Sequence, residues 1–104
     1  MKFEIDLIGK NLINTMRHCG YASEGRDLRA GELKFYRMLR GASYPRFHIY
    51  CILSSDEKKA ILNLHLDQKQ PSYKGSHAHS GEYEGPLVEA EAVRIQHISK
   101  KSAR

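Results

Sequence analysis

The sequence predicts an α+β domain with element order β-α-β-β-β-α, in which a three-stranded antiparallel sheet carries two helices on one face. Three observations predict it. Residues 32–67 contain three strand-length runs in which apolar and polar residues alternate, the period of a half-buried strand. Two other runs, around Leu12–Cys19 and Pro86–Ile98, space their apolar residues as one face of a helix does. Between the third strand and the last helix lies a long His-rich connection, predicted to fold over the other sheet face.

The elements follow in order. Phe3, Ile5 and Leu7 alternate with Glu4 and Asp6, a short strand closed by Gly9. Asn11 suits a helix N-cap, Leu12, Ile13, Met16 and Cys19 fall at helical spacing, and Gly20 ends the helix. Residues 22–31, with Ser23, Gly25 and Gly31, read as a loop. Glu32–Leu39 is the next strand, with Leu33 and Phe35 on one face and Lys34 and Tyr36 on the other. A turn over 41–45 leads to Arg46–Leu53, where Phe47, Ile49, Cys51 and Leu53 share a face. Lys59–Asp67 is the third run, with Leu62, Leu64 and Leu66 on one face.

Ser55–Lys58 fits a four-residue hairpin loop, and that length fixes a register. With Ser54 opposite Lys59, Ile49 meets Leu64 and Cys51 meets Leu62 on the core side. On the other side Arg46 meets Asp67, His48 meets His65, and Tyr50 meets Asn63. A two-residue loop would shift the pairs and keep the faces. Gly85-Pro86 starts the final helix, with Pro at the first helical position. Val88, Ala92, Ile95 and Ile98 form its apolar stripe, and residues 99–104 read as a basic tail.

At 104 residues the chain is a single domain, 1–104, able to bury roughly two thirds of its unfolded surface. No run approaches the ~20 apolar residues of a membrane-spanning helix. The acids at Glu4 and Asp6 interrupt any signal-peptide core, so the expected location is the cytoplasm. Cys19 and Cys51 fall in a helix and a strand and read as buried small hydrophobes. The net charge of +5, from 17 Lys+Arg against 12 Asp+Glu, favours anionic partners, nucleic acid first, and RNA is the expected one.

Chemistry concentrates in His65–Gly85 and on the polar face of the hairpin. Histidine serves as acid or base near neutral pH, and Lys and Arg stabilise a phosphate. His48, His65 and Asp67 are therefore the expected catalytic group. Arg37, Arg46, Tyr50, Lys69 and Lys74 are the expected nucleic-acid contacts, with Tyr available for stacking. A second reading stays open: His65, Asp67, His77, His79 and Glu82 offer the donors for a divalent zinc, nickel, iron or manganese ion, giving a metal-binding protein or metal-dependent hydrolase. Asp67-Gln68-Lys69 also resembles the D/E-x-K element of a large nuclease superfamily. A third reading is a non-enzymatic interaction module, with exposed strand edges able to pair into a homodimer.

The order of elements from Leu12 to Ile98 resembles the HicA toxin family. The residues that carry it are Cys19-Gly20-Tyr21 at the helix end, the strand Phe47-His48-Ile49-Tyr50, and the His-bearing strand end Leu64-His65-Leu66. The resemblance implies a fold related to double-stranded-RNA-binding domains, mRNA cleavage, and restraint by an antitoxin-like protein partner. The family's catalytic His stands where this chain has Phe47, so the resemblance points to the neighbouring His48.

Overall fold

The structure is a computed structural model describing residues 1–27, 31–39, 41, 43–68, 81–82 and 84–101. Its elements are β1 (Lys2–Asp6), α1 (Leu12–His18), β2 (Ala22–Asp27), β3 (Glu32–Met38), β4 (Arg46–Leu53), β5 (Lys59–Asp67), β6 (Gly81–Glu82) and α2 (Pro86–Lys101). The expected α+β class holds at that level, but the three-stranded sheet does not. Five strands pair antiparallel in the order β1-β5-β4-β3-β2, and the two-residue β6 adds beside β5.

Two features account for the difference. The first strand joins the sheet, its Lys2–Asp6 pairing with Asn63–Lys59 of β5. The segment read as a loop over 22–31 is β2 through Asp27, paired with β3. Its sequence, Ala-Ser-Glu-Gly-Arg-Asp, has no apolar alternation. Backbone pairing to β3 makes it a strand, and the register shifts between Ser23 and Gly25, a β-bulge around Glu24.

The β4–β5 hairpin has the register its loop predicts. The Ser54 amide donates to the Lys59 carbonyl at 2.9 Å, and Arg46–Asp67, His48–His65, Ile49–Leu64, Tyr50–Asn63 and Cys51–Leu62 are partners. Because directly opposed residues share a face, Phe47, Ile49, Cys51, Ala60, Leu62, Leu64 and Leu66 all enter the core. Leu12, Met16 and Cys19 of the α1 region and Val88, Ala92 and Ile95 of α2 complete that one cluster, so both helices cover the same sheet face. Asn11 Oδ1 caps α1 by accepting from the Asn14 amide at 3.1 Å. Gly20, at φ +92°, closes it while the Tyr21 amide donates back to the Met16 carbonyl. The basic tail begins inside α2, which continues to Lys101.

One charged cluster ties these layers together. Glu91 of α2 is 4% exposed and accepts from Arg37 Nε and Nη2 at 3.2 and 3.0 Å, from Arg94 Nε and Nη2 at 2.8 Å each, and from the Tyr21 hydroxyl at 2.6 Å. Arg94 Nη2 also donates to the Cys19 carbonyl at 2.6 Å. Burial pushes the Glu91 carboxyl up, but donors from Arg94, Arg37 and Tyr21 outweigh it and hold the group below its usual range. Burial raises the Tyr21 hydroxyl and the Cys19 and Cys51 thiols, the unreactive state of a buried free cysteine. Among the described residues no helix is long and apolar enough to cross a membrane.

Candidate functional site

The face of the sheet away from the helices carries the polar set. Strand alternation puts Lys34 and Tyr36 of β3, Arg46, His48 and Tyr50 of β4, and Asn63, His65 and Asp67 of β5 on it. His48 sits at its centre, between two carboxylates. Its Nδ1 lies 2.6 Å from Asp67 Oδ2, and its Nε2 lies 2.6 Å from Glu24 Oε1. A carboxylate only accepts, so an acceptor on each ring nitrogen favours the doubly protonated imidazolium of His48. The hydrogen bond to Asp67 raises its pKa most, burial works against it, and Glu24 adds to the rise.

His65 differs in environment. Its Nε2 stands 3.4 Å from Asp67 Oδ1, so Asp67 faces one histidine with each oxygen. Burial lowers the His65 pKa most; Asp67 opposes that, while His48 and the chain's N-terminal ammonium add to the lowering. The two rings are 5.3 Å apart between centroids, and the Tyr50 ring stacks against both, 5.9 Å from His48 and 5.3 Å from His65. One proton is therefore drawn onto His48 and kept off its neighbour.

Arg46 borders Nε2 of His48. Its Nη2 lies 3.5 Å from His48 Nε2 and donates to Glu24 Oε2 at 3.3 Å. Its guanidinium carbon is 5.1 Å from the Tyr36 ring centroid and 4.8 Å from that of Tyr44. Lys34 Nζ lies 5.8 Å from the Tyr50 ring centroid. The polar face is thus less open than the sequence suggests: His48, His65 and Asp67 are 9%, 6% and 7% exposed.

The structure brings together the expected catalytic group, His48, His65 and Asp67, and sets Arg46 and Tyr50 beside it. Arg37 is on the helix side of the sheet, paired with Glu91 and lying over the Phe47 ring. Phe47 itself is in the core at 3% exposed, which leaves His48 as the β4 histidine on the polar face. Lys69, Lys74, His77 and His79 lie outside the described residues, and Glu82 is described only through its backbone pairing with Leu66. Glu24 and Tyr44 were not expected. Glu24 sits in a stretch without strand periodicity, so no sequence signal marks it; Tyr44 sits in a turn before Pro45.

One ligand atom each from His48, His65 and Asp67 lies within 4.8 Å of the others, so this group could hold a metal ion. Two imidazoles and a carboxylate suit a transition metal with open positions. Comparison with protein-family models, curated proteins and solved structures gives no match.

Proposed function

We propose that this domain binds RNA on its β3–β4–β5 face and cleaves it by acid–base chemistry centred on His48. The observation that carries the reading is the Asp67–His48–Arg46 line. Asp67 holds Nδ1 at 2.6 Å, and Nε2 lies 3.5 Å from a guanidinium and 2.6 Å from the Glu24 carboxylate, whose place a phosphate would take. A carboxylate that orients an imidazole from behind leaves the far nitrogen to transfer protons, and a neighbouring Arg neutralises a phosphate. In RNA cleavage the 2′-oxygen attacks phosphorus and the bond to the 5′-oxygen breaks. His48 gives its Nε2 proton to the departing 5′-oxygen. The neutral imidazole of His65, 5.3 Å away, is the matching acceptor for the 2′-hydroxyl proton. Tyr36, Tyr44 and Tyr50, with Lys34, supply ring faces and charge for bases and backbone. The +5 net charge agrees with an anionic partner.

A second reading is favoured by one specific observation. With His48, His65 and Asp67 as zinc or nickel ligands, Glu24 on His48 Nε2 is the outer carboxylate that ligating histidines usually carry. One experiment separates the two. Cleavage of an end-labelled oligoribonucleotide in excess chelator should persist, should fall as salt rises, and should drop about 10²–10⁴-fold in His48→Ala. Cleavage that vanishes with chelator and returns with zinc favours the metal reading, and full activity in His48→Ala ends the first.

A further inference from the structure

We propose that Arg46 and His48 form a binding site for a tetrahedral oxyanion of the phosphate class, and that the Glu24 carboxylate occupies it in the free protein. Three observations carry this. First, two donors of like charge, Arg46 Nη2 and His48 Nε2, stand 3.5 Å apart, a placement that calls for an anion spanning them. Glu24 is that anion, one oxygen on each donor, at 3.3 and 2.6 Å.

Second, the match is incomplete. Arg46 Nε is buried and has no hydrogen-bond partner, although Nε and Nη2 form the fork that receives two oxygens of one acid group. Glu24 has only two oxygens, and both are already engaged. A phosphate offers a third, which completes the fork while another accepts from His48 Nε2.

Third, Glu24 is attached so that it can leave. It belongs to the edge strand β2, in the bulge between Ser23 and Gly25. Gly25 holds φ +112°. Displacing one bulge residue on an edge breaks no pairing between interior strands. The Glu24 side chain is 32% exposed, against 17% for Arg46 and 11% for His48, so it forms the solvent side of the cluster. The low exposure of His48 then describes a closed site, with Glu24 as its cover.

The site explains how a buried His48 meets a phosphodiester, and to that extent deepens the RNA reading; the oxyanion site itself does not depend on that reading. The test is titration with inorganic phosphate at constant ionic strength, followed by the imidazole resonances of His48. Glu24→Gln keeps shape and removes the competing charge, so it should bind phosphate about tenfold tighter than the unmodified protein. Glu24→Ala should do the same, and adding Arg46→Ala to either should abolish the gain. Equal affinity with and without Glu24, or a gain that survives Arg46→Ala, overturns the proposal. A parallel titration with an oligoribonucleotide separates the two claims. Phosphate binding that responds to Glu24 without any oligonucleotide binding keeps the oxyanion site and removes the RNA reading. Oligonucleotide binding that Arg46→Ala weakens, with a phosphate affinity indifferent to Glu24, does the reverse.

Discussion

Replacing Glu91 by Gln should cost about 2–3 kcal/mol of folding stability. The estimate starts from the general cost of removing one partner from a buried ion pair, about 3–5 kcal/mol. Glu91 is 4% exposed and receives five hydrogen bonds, from Arg37, Arg94 and Tyr21. Gln retains the size and one acceptor oxygen, and the Arg37 and Arg94 side chains, 28% and 35% exposed, regain some water. Both effects place the cost below the general range. For a domain of this size that is a fall in Tm of roughly 10–20 °C. The pH dependence gives a second readout. The folded-state pKa of Glu91 is depressed, so its contribution is fully present above the ordinary carboxylate pKa and is lost as pH falls through the depressed value. The gap between the unmodified protein and Glu91→Gln should therefore narrow in acid. Urea and thermal unfolding followed by circular dichroism, at neutral pH and at successively lower pH, measure both. A loss under about 1 kcal/mol at neutral pH, or a gap that does not narrow, would refute the keystone role given to Glu91.

The two arginines first grouped as RNA contacts should separate cleanly. Arg37→Ala should lower stability and leave the RNA affinity of the folded protein unchanged, because Arg37 is held by Glu91 on the helix side. Arg46→Ala should weaken RNA binding and reduce its salt dependence, as loss of a phosphate contact does; fluorescence anisotropy at several salt concentrations distinguishes them. Asp67→Asn removes the largest influence raising the His48 pKa, so that pKa should fall, which an NMR titration of the imidazole resonances would detect. Leu64→Ala, at a fully buried core position, should cost about 2–5 kcal/mol in urea unfolding.

The hairpin that builds the site was legible in the sequence because two constraints coincide there. Phe47, Ile49 and Cys51 on β4 and Leu62, Leu64 and Leu66 on β5 each demand the core face, and the loop after Ser54 fixes which residue meets which. That pairing was enough to predict His48 opposite His65 and Arg46 opposite Asp67. The sheet's extent was not legible. β1 has a strand's pattern, but nothing in it names β5 as its neighbour, and β2 owes its conformation to backbone pairing rather than to its side chains. Missing β2 hid Glu24, whose position depends on a bulge. The place of Arg37 was hidden for a related reason. It shares the helix face with apolar Phe35, and only the buried Glu91 of α2 explains a charge there. A periodicity cannot reveal a partner 54 residues away.

In the proposed reaction His48, held by Asp67, presents a protonated Nε2 to a phosphate beside Arg46. Residue-resolved NMR of the His48 imidazole, titrated with an oligoribonucleotide at low and high salt, tests it most directly. In the free protein the His48 pKa should lie above the ordinary histidine value. The His48 Nε2 resonance should move on addition of RNA, and the shift should weaken as salt rises. A His48 that titrates at or below the ordinary value, or one that does not respond to RNA while binding occurs elsewhere, would contradict it.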